Sequence, residues 1–148
     1  MTVDPNSANG PDRGHRARPH TADVILEAWG PDLAVCCEEA ATALLAVCLD
    51  PAVGGRVGRR RSHVMAGTAE SLLLAVLDEV IFVLDTSIAV PVRVEVQRAS
   101  DNGLDVHLEM APRDSVAVTG PAPKAIAVGS LSIYDDESGA RCSFLVDV

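Results

Sequence analysis

Cationic side chains are scarce in this 148-residue chain: 12 Lys and Arg stand against 21 Asp and Glu, a formal net charge of −9. A surface of that sign repels a phosphate backbone, which argues against autonomous nucleic-acid binding. No apolar run approaches the roughly 20 residues that a membrane-spanning helix needs. The first twenty residues, with Asp4, Asn6, Asn9, Asp12 and three arginines, lack the apolar stretch of a signal peptide, so the expected compartment is the cytoplasm. Cysteine is limited to Cys36, Cys37, Cys48 and Cys142. None forms a C-x-x-C pair, and adjacent cysteines do not suit a tetrahedral zinc site; the expectation is four small buried hydrophobes in a reducing cell. No serine sits in a nucleophile elbow, and neither a G-x-G-x-x-G nor a P-loop is present. The residues alone do not show an enzyme. There is no internal repeat and no low-complexity tract.

What is there builds an ordinary globule, with 48 % hydrophobic and 22 % charged residues. Residues 1–14 are polar with interspersed Pro and Gly and read as a flexible N-terminal tail; 15–148 form a single domain. His15 to His20 is expected as an edge strand, because Pro19 is tolerated only there. Ala22 to Trp29 alternates as a strand. Pro31 then suits the first turn of a helix whose apolar positions, Leu33 to Cys48, recur at three and four and stop before Pro51. A short strand is expected near His63 to Ala66. Thr68 is the expected N-cap of a second helix, with a stripe from Ala69 and Leu72 to Val83 and Leu84. Val90 to Val96 and Leu104 to Met110 are period-two strands around the hairpin signal Asp101-Asn102-Gly103. After a Pro- and Gly-bearing loop (112–123), Lys124 to Tyr134 and Ala140 to Val148 form a last hairpin. The fold class is α+β, two layers, with two amphipathic helices on a largely antiparallel or mixed sheet.

Three features could carry chemistry. His20-Thr21-Ala22-Asp23 packs an imidazole, a hydroxyl and a carboxylate before a strand, although such turns usually satisfy their own backbone amides. Asp147 follows the apolar Phe144-Leu145-Val146, and Val148 adds carboxylate oxygens; with a third group this becomes a hard-oxygen cation site, and without one it is an exposed acid at a strand end. Arg56, Arg59, Arg60 and Arg61 form a basic cluster, read as a solvated loop or as a contact patch for RNA phosphate or an acidic partner.

Pro19-His20-Thr21-Ala22-Asp23-Val24 followed by Glu27-Ala28-Trp29-Gly30, the helix segments Glu70-Ser71-Leu72-Leu73 and Leu77 to Asp85, Lys124-Ala125-Ile126, and the ending Phe144-Leu145-Val146-Asp147-Val148 together resemble the archease family over about Gly14 to Val148. The resemblance implies an accessory protein, not an enzyme. Its partner would be the RNA-splicing ligase protein that joins RNA ends in tRNA splicing or RNA repair. It would promote GTP-dependent nucleotidyl transfer to that ligase and multiple turnover, touching RNA only indirectly and no membrane. It also implies a divalent metal held by Asp23, Asp147 and Val148. All-oxygen donors suit Ca²⁺, Mg²⁺ or Mn²⁺ rather than zinc. His20 is then a candidate to support a ligand or hold the turn, and Lys124 to meet a phosphate or cap a strand. The chain departs from the family where Ala127-Val128-Gly129 replace its usual Thr, aromatic and His. The alternative function is a chaperone-like or scaffolding module without metal chemistry; a small metal-dependent hydrolase lacks a convincing base or nucleophile.

Overall fold

Helical periodicity and strand alternation segregate along the chain, and the computed structural model, which describes residues 12–20, 23–50, 55 and 57–148, shows how they assemble. The strands are β1 (Gly14–His20), β2 (Asp23–Gly30), β3 (Leu49–Asp50), β4 (Gly58–Val64), β5 (Ala89–Arg98), β6 (Leu104–Pro112), β7 (Ala117–Val118), β8 (Ala125–Asp136) and β9 (Gly139–Asp147); the helices are α1 (Leu33–Ala46) and α2 (Ala69–Thr86). Every pairing among the described residues is antiparallel, so the class is α+β as expected. The strands divide into a four-stranded sheet, β1-β2-β9-β8, a three-stranded sheet, β4-β6-β5, and the short pair β3-β7.

Each helix begins where a side chain satisfies an otherwise unpaired first-turn amide. Asp32 accepts from Val35 N at 2.9 Å, so Pro31 precedes the cap of α1 instead of occupying its first turn. Thr68 accepts from Ser71 N at 3.1 Å and opens α2 as its residue type predicts. The far end of α2 is closed from outside, by the Arg113 guanidinium donating to the carbonyls of Leu84 and Ser87 at 2.9 and 3.0 Å. α1 packs on β1, β2 and β9 of the larger sheet and on β5 of the smaller; α2 lies against β8, β5 and β4. Its position between two sheets explains why α1 is buried around most of its circumference. The core joins Leu44, Leu73, Leu77 and Val80 from the helices to Leu26, Phe144, Leu104 and Leu108 from the sheets.

All four cysteines are free and buried, as expected. Gly14, counted with the tail above, opens β1, and Arg13 beside it bonds to Glu38 and Glu39 of α1; the rest of the tail, residues 1–11, lies outside the described residues. The basic segment is corrected more substantially. Arg59, Arg60 and Arg61 lie within β4, and strand alternation splits them. Arg60 faces α2, its guanidinium 3.9 Å from Glu79 and 5.9 Å over the Phe82 ring, whereas Arg59 and Arg61 take the opposite side. Arg56 lies outside the described residues. Among the described residues, no helix is long and apolar enough to cross a membrane.

Candidate metal centre at the end of the outer sheet

In the four-stranded sheet, Leu26, Ala28, Cys142, Phe144 and Val146 point to the helices and are buried. The intervening residues therefore share the outer face, and the register stacks them in rungs. The last rung reads His20, Asp23, Asp147 and Ala125 across β1, β2, β9 and β8. Two acids some 120 residues apart in sequence thus oppose each other on adjacent strands. Directly opposed residues in an antiparallel pair have Cβ atoms about 4.5–5.5 Å apart, and like charges so placed destabilise the pair.

The surroundings hold this strand end in place. The main-chain N–H of Lys124 donates to the Asp147 carbonyl at 2.8 Å, fixing the end of β9 against the start of β8. Val148 packs partly buried against the core, while Asp147 and the Lys124 side chain are exposed. Asp23, Asp147, Val148 and Lys124 therefore gather at one end of the sheet. The His20 backbone joins the same rung; its side chain, with Thr21 and Ala22, lies outside the described residues. Among the described residues, no three His, Cys, Asp or Glu side chains gather into a metal site. What the strand pairing brings together here is two carboxylates, Asp23 and Asp147, with the main chain of Val148 next to the second. Oxygen donors of this kind fit a hard cation with a flexible coordination sphere.

Ala127-Val128-Gly129, singled out above as a departure from the resemblance, falls at a register shift between Ala127 and Ser132 of β8. Ser130 bridges the irregularity: its hydroxyl donates to the Ala127 carbonyl at 2.6 Å and accepts from Leu145 N at 2.9 Å. Val128 is exposed there.

Two further polar clusters escaped sequence reasoning. His63 on β4 is held at both ring nitrogens, by Asp105 at 2.7 Å and Asp101 at 2.8 Å. Those carboxylates raise the His63 pKa above its ordinary value, Asp105 most strongly, whereas the Gly103 N–H and then His63 lower that of Asp101. Elsewhere Glu39, buried on α1, takes His15 from β1 and Arg13 from the residue just before it. Its neighbour Glu38 accepts from Val96 N of β5 at 3.0 Å and so links the two sheets through α1. Neither cluster has a local sequence signature, because the partners meet only through strand pairing, for His63, or through packing of α1 on the sheets, for Glu38 and Glu39.

Residues 15–148 match the model of the Archease protein family (MTH1598/TM1083). Two relatives named "Probable protein archease", from two strains of Mycobacterium tuberculosis, are each 34% identical over 139 residues, spanning 94% of this chain and 77% of theirs. The fold is similar to the solution structure of Methanobacterium thermoautotrophicum protein 1598, with a TM-score of 0.67, 23% identity, and 91% of this chain and 99% of that one covered. It is similar also to a Thermotoga maritima crystal structure described as an archease, possible chaperone, with a TM-score of 0.66, 21% identity and coverage of 88% and 96%. The fold, the family match over 15–148 and the 34% identical relatives agree: this chain belongs to the archease family.

Proposed function

We propose that this protein is a metal-binding accessory protein of an RNA-splicing ligase, promoting GTP-dependent nucleotidyl transfer to the ligase and its repeated turnover in tRNA splicing or RNA repair. The observation that carries this reading is the opposition of Asp23 and Asp147 on adjacent strands. An unneutralised acidic pair in that position costs stability, and a bound cation offsets the cost. A divalent ion, Ca²⁺, Mg²⁺ or Mn²⁺, supplies a positive centre for phosphate oxygens when bound. The chain's own part is positional. Asp23 and Asp147 present the carboxylates, Val148 anchors the strand end in the core, and the Lys124 main chain holds the Asp147 carbonyl. The net charge of −9 keeps RNA contact indirect, through the ligase.

The test is multiple-turnover RNA joining by the cognate ligase with GTP and Mn²⁺, with and without trace amounts of this protein, alongside calorimetric titration with Ca²⁺ and Mn²⁺. Stimulation that Asp23→Ala and Asp147→Ala each abolish, together with metal binding, supports the reading. Wild-type metal affinity in both variants refutes the site. Metal binding without stimulation refutes the ligase role.

A second reading, a chaperone-like module, draws on another surface. Ile88, 95% exposed, and Val57, 61% exposed, line a recess of about 620 Å³ with Ala89, Pro112, Arg113 and Asp114. An exposed apolar patch of this kind serves protein contact, and the Thermotoga maritima relative is described as a possible chaperone. Suppression of client aggregation that Ile88→Asp removes, while Asp147→Ala keeps it, favours this reading over the first.

A further inference from the structure

The outer sheet face holds a second feature, three rungs from the acidic pair and built from different chemistry. Trp29, Arg141 and Tyr134 stand abreast on β2, β9 and β8. The next rung is Arg16, Glu27, Ser143 and Ser132. Together with Cys142 these residues line a recess of about 180 Å³. The recess exists because Gly14 opposes Trp29 on β1: a Cβ at Gly14 would lie 2.6 Å from the indole ring, so the ring occupies the space over that glycine. The strip above Arg141 is left open between the indole and the 70% exposed Tyr134 ring. Neighbouring strands are about 4.8 Å apart, which sets Trp29 and Tyr134 roughly 10 Å from each other at the backbone.

We propose that this recess binds one nucleotide, its base stacked against Trp29 and Tyr134 and its phosphate directed along the sheet to Arg16 and Arg141. Three observations favour that ligand. Two aromatic side chains of a chain with only four (one Trp, one Tyr, two Phe) flank the same opening, and flat rings stack on bases of any identity. The local charge opposes that of the whole protein. Arg16 and Arg18 share Glu27, while Arg141 has no ion-pair partner among the described residues. That leaves positive charge beside the rings on a protein of net charge −9. Finally, Ser132 and Ser143 put hydroxyls on the rung between the rings and the rest of the face, where a ribose or phosphate needs donors. The acidic turn Asp135-Asp136-Glu137 beside Tyr134 repels a phosphate at that end, which orients the ligand toward Arg16 and Arg18. A long polyanion is disfavoured by the protein's net charge; a single nucleotide, free or at the end of an RNA strand, is not. This site stands whether or not the acidic rung binds a metal.

Trp29 is the sole tryptophan, so its indole N–H gives one resonance in a ¹⁵N-labelled sample. The experiment follows that resonance and calorimetry while the four ribonucleoside 5′-monophosphates, ribose 5-phosphate, or a short single-stranded RNA is added. Saturable indole shifts with a monophosphate, and affinity about tenfold weaker in both Tyr134→Ala and Arg141→Ala, are expected from the loss of one stacking or one charged contact. RNA binding much more tightly than the monophosphate identifies a strand end as the source; equal binding identifies the free nucleotide. Both side chains are exposed, so folding of the variants is checked by an unchanged melting temperature. No indole shift at millimolar nucleotide overturns the proposal, as does ribose 5-phosphate binding equally well, or affinity unchanged in the folded variants.

Discussion

His63 shows how much one side chain's behaviour depends on partners remote in sequence. Its charged form is stabilised by Asp105 and Asp101, so its folded pKa exceeds the ordinary value of about 6.5. A raised cationic pKa contributes stability that is complete below the unfolded value and is lost as pH rises through the folded one. The melting temperature of the wild type should therefore exceed that of His63→Gln most clearly near pH 5–6, and the gap should close at alkaline pH. A gap that is constant from pH 5 to about 9 would exclude this ionic role. The Asp101 side has the opposite sign: its lowered pKa gives stability present above the ordinary carboxylate value and lost as pH falls through the folded value. The cysteines illustrate burial without charged partners. Desolvation comes first in raising the Cys37 and Cys48 pKa values, and for Cys142 a hydrogen bond with Cys36 leads. These thiols are held protonated, and their role is packing.

At the scale of elements, α2 and β4 stand at opposite ends of legibility. The start and buried face of α2 are legible because its cap and its stripe are local, whereas its far end is closed by Arg113 from another part of the chain. Thr68→Ala, which leaves the Ser71 amide without its partner, should cost about 1 kcal/mol in denaturant unfolding. Leu73 is fully buried in the core that joins helices and sheets, and Leu73→Ala should cost about 2–5 kcal/mol without changing the denaturant dependence. β4 is illegible locally because Arg59-Arg60-Arg61 has no apolar alternation. Its strand state comes from pairing with β6, where Arg59 meets Glu109 and Arg61 meets His107 in register. The last hairpin lies between these cases. Gly139, at φ 128°, marks its turn, and the irregularity after Ala127 depends on the Ser130 bridge to β9.

For the whole molecule, the decisive arrangement is that the final strand enters the sheet beside β2, between the first hairpin and β8. That insertion brings Asp147 to Asp23, so a cation held by both would report directly on folding stability. If the rung binds Ca²⁺ or Mn²⁺, saturating metal should raise the melting temperature, since a ligand at a hundred times its Kd adds about 2.7 kcal/mol to the folded state. Asp147→Asn should behave oppositely in two respects: a higher melting temperature than wild type in chelator, from relief of like-charge repulsion, and no rise on adding metal. Identical responses of the two proteins to metal would dissociate the acidic pair from any cation.

The sequence by itself determined the elements with local causes: two helices, the period-two strands, the Thr68 cap, and the turn in which Asn102 takes φ 67°. It also carried the family resemblance, through His20 to Asp23, Lys124 to Ile126 and the apolar-Asp-apolar ending. Only the tertiary structure decided what those elements place together. Sheet order and register assign Asp23 to Asp147, Trp29 to Tyr134 across Arg141, and His63 to two acids on another strand pair. The physical reason is that helix and strand states follow from interactions within a few residues, whereas cross-strand partners are selected by burial of the inward face. In a strand whose side chains alternate, choosing the buried face also chooses which residues meet on the outer one.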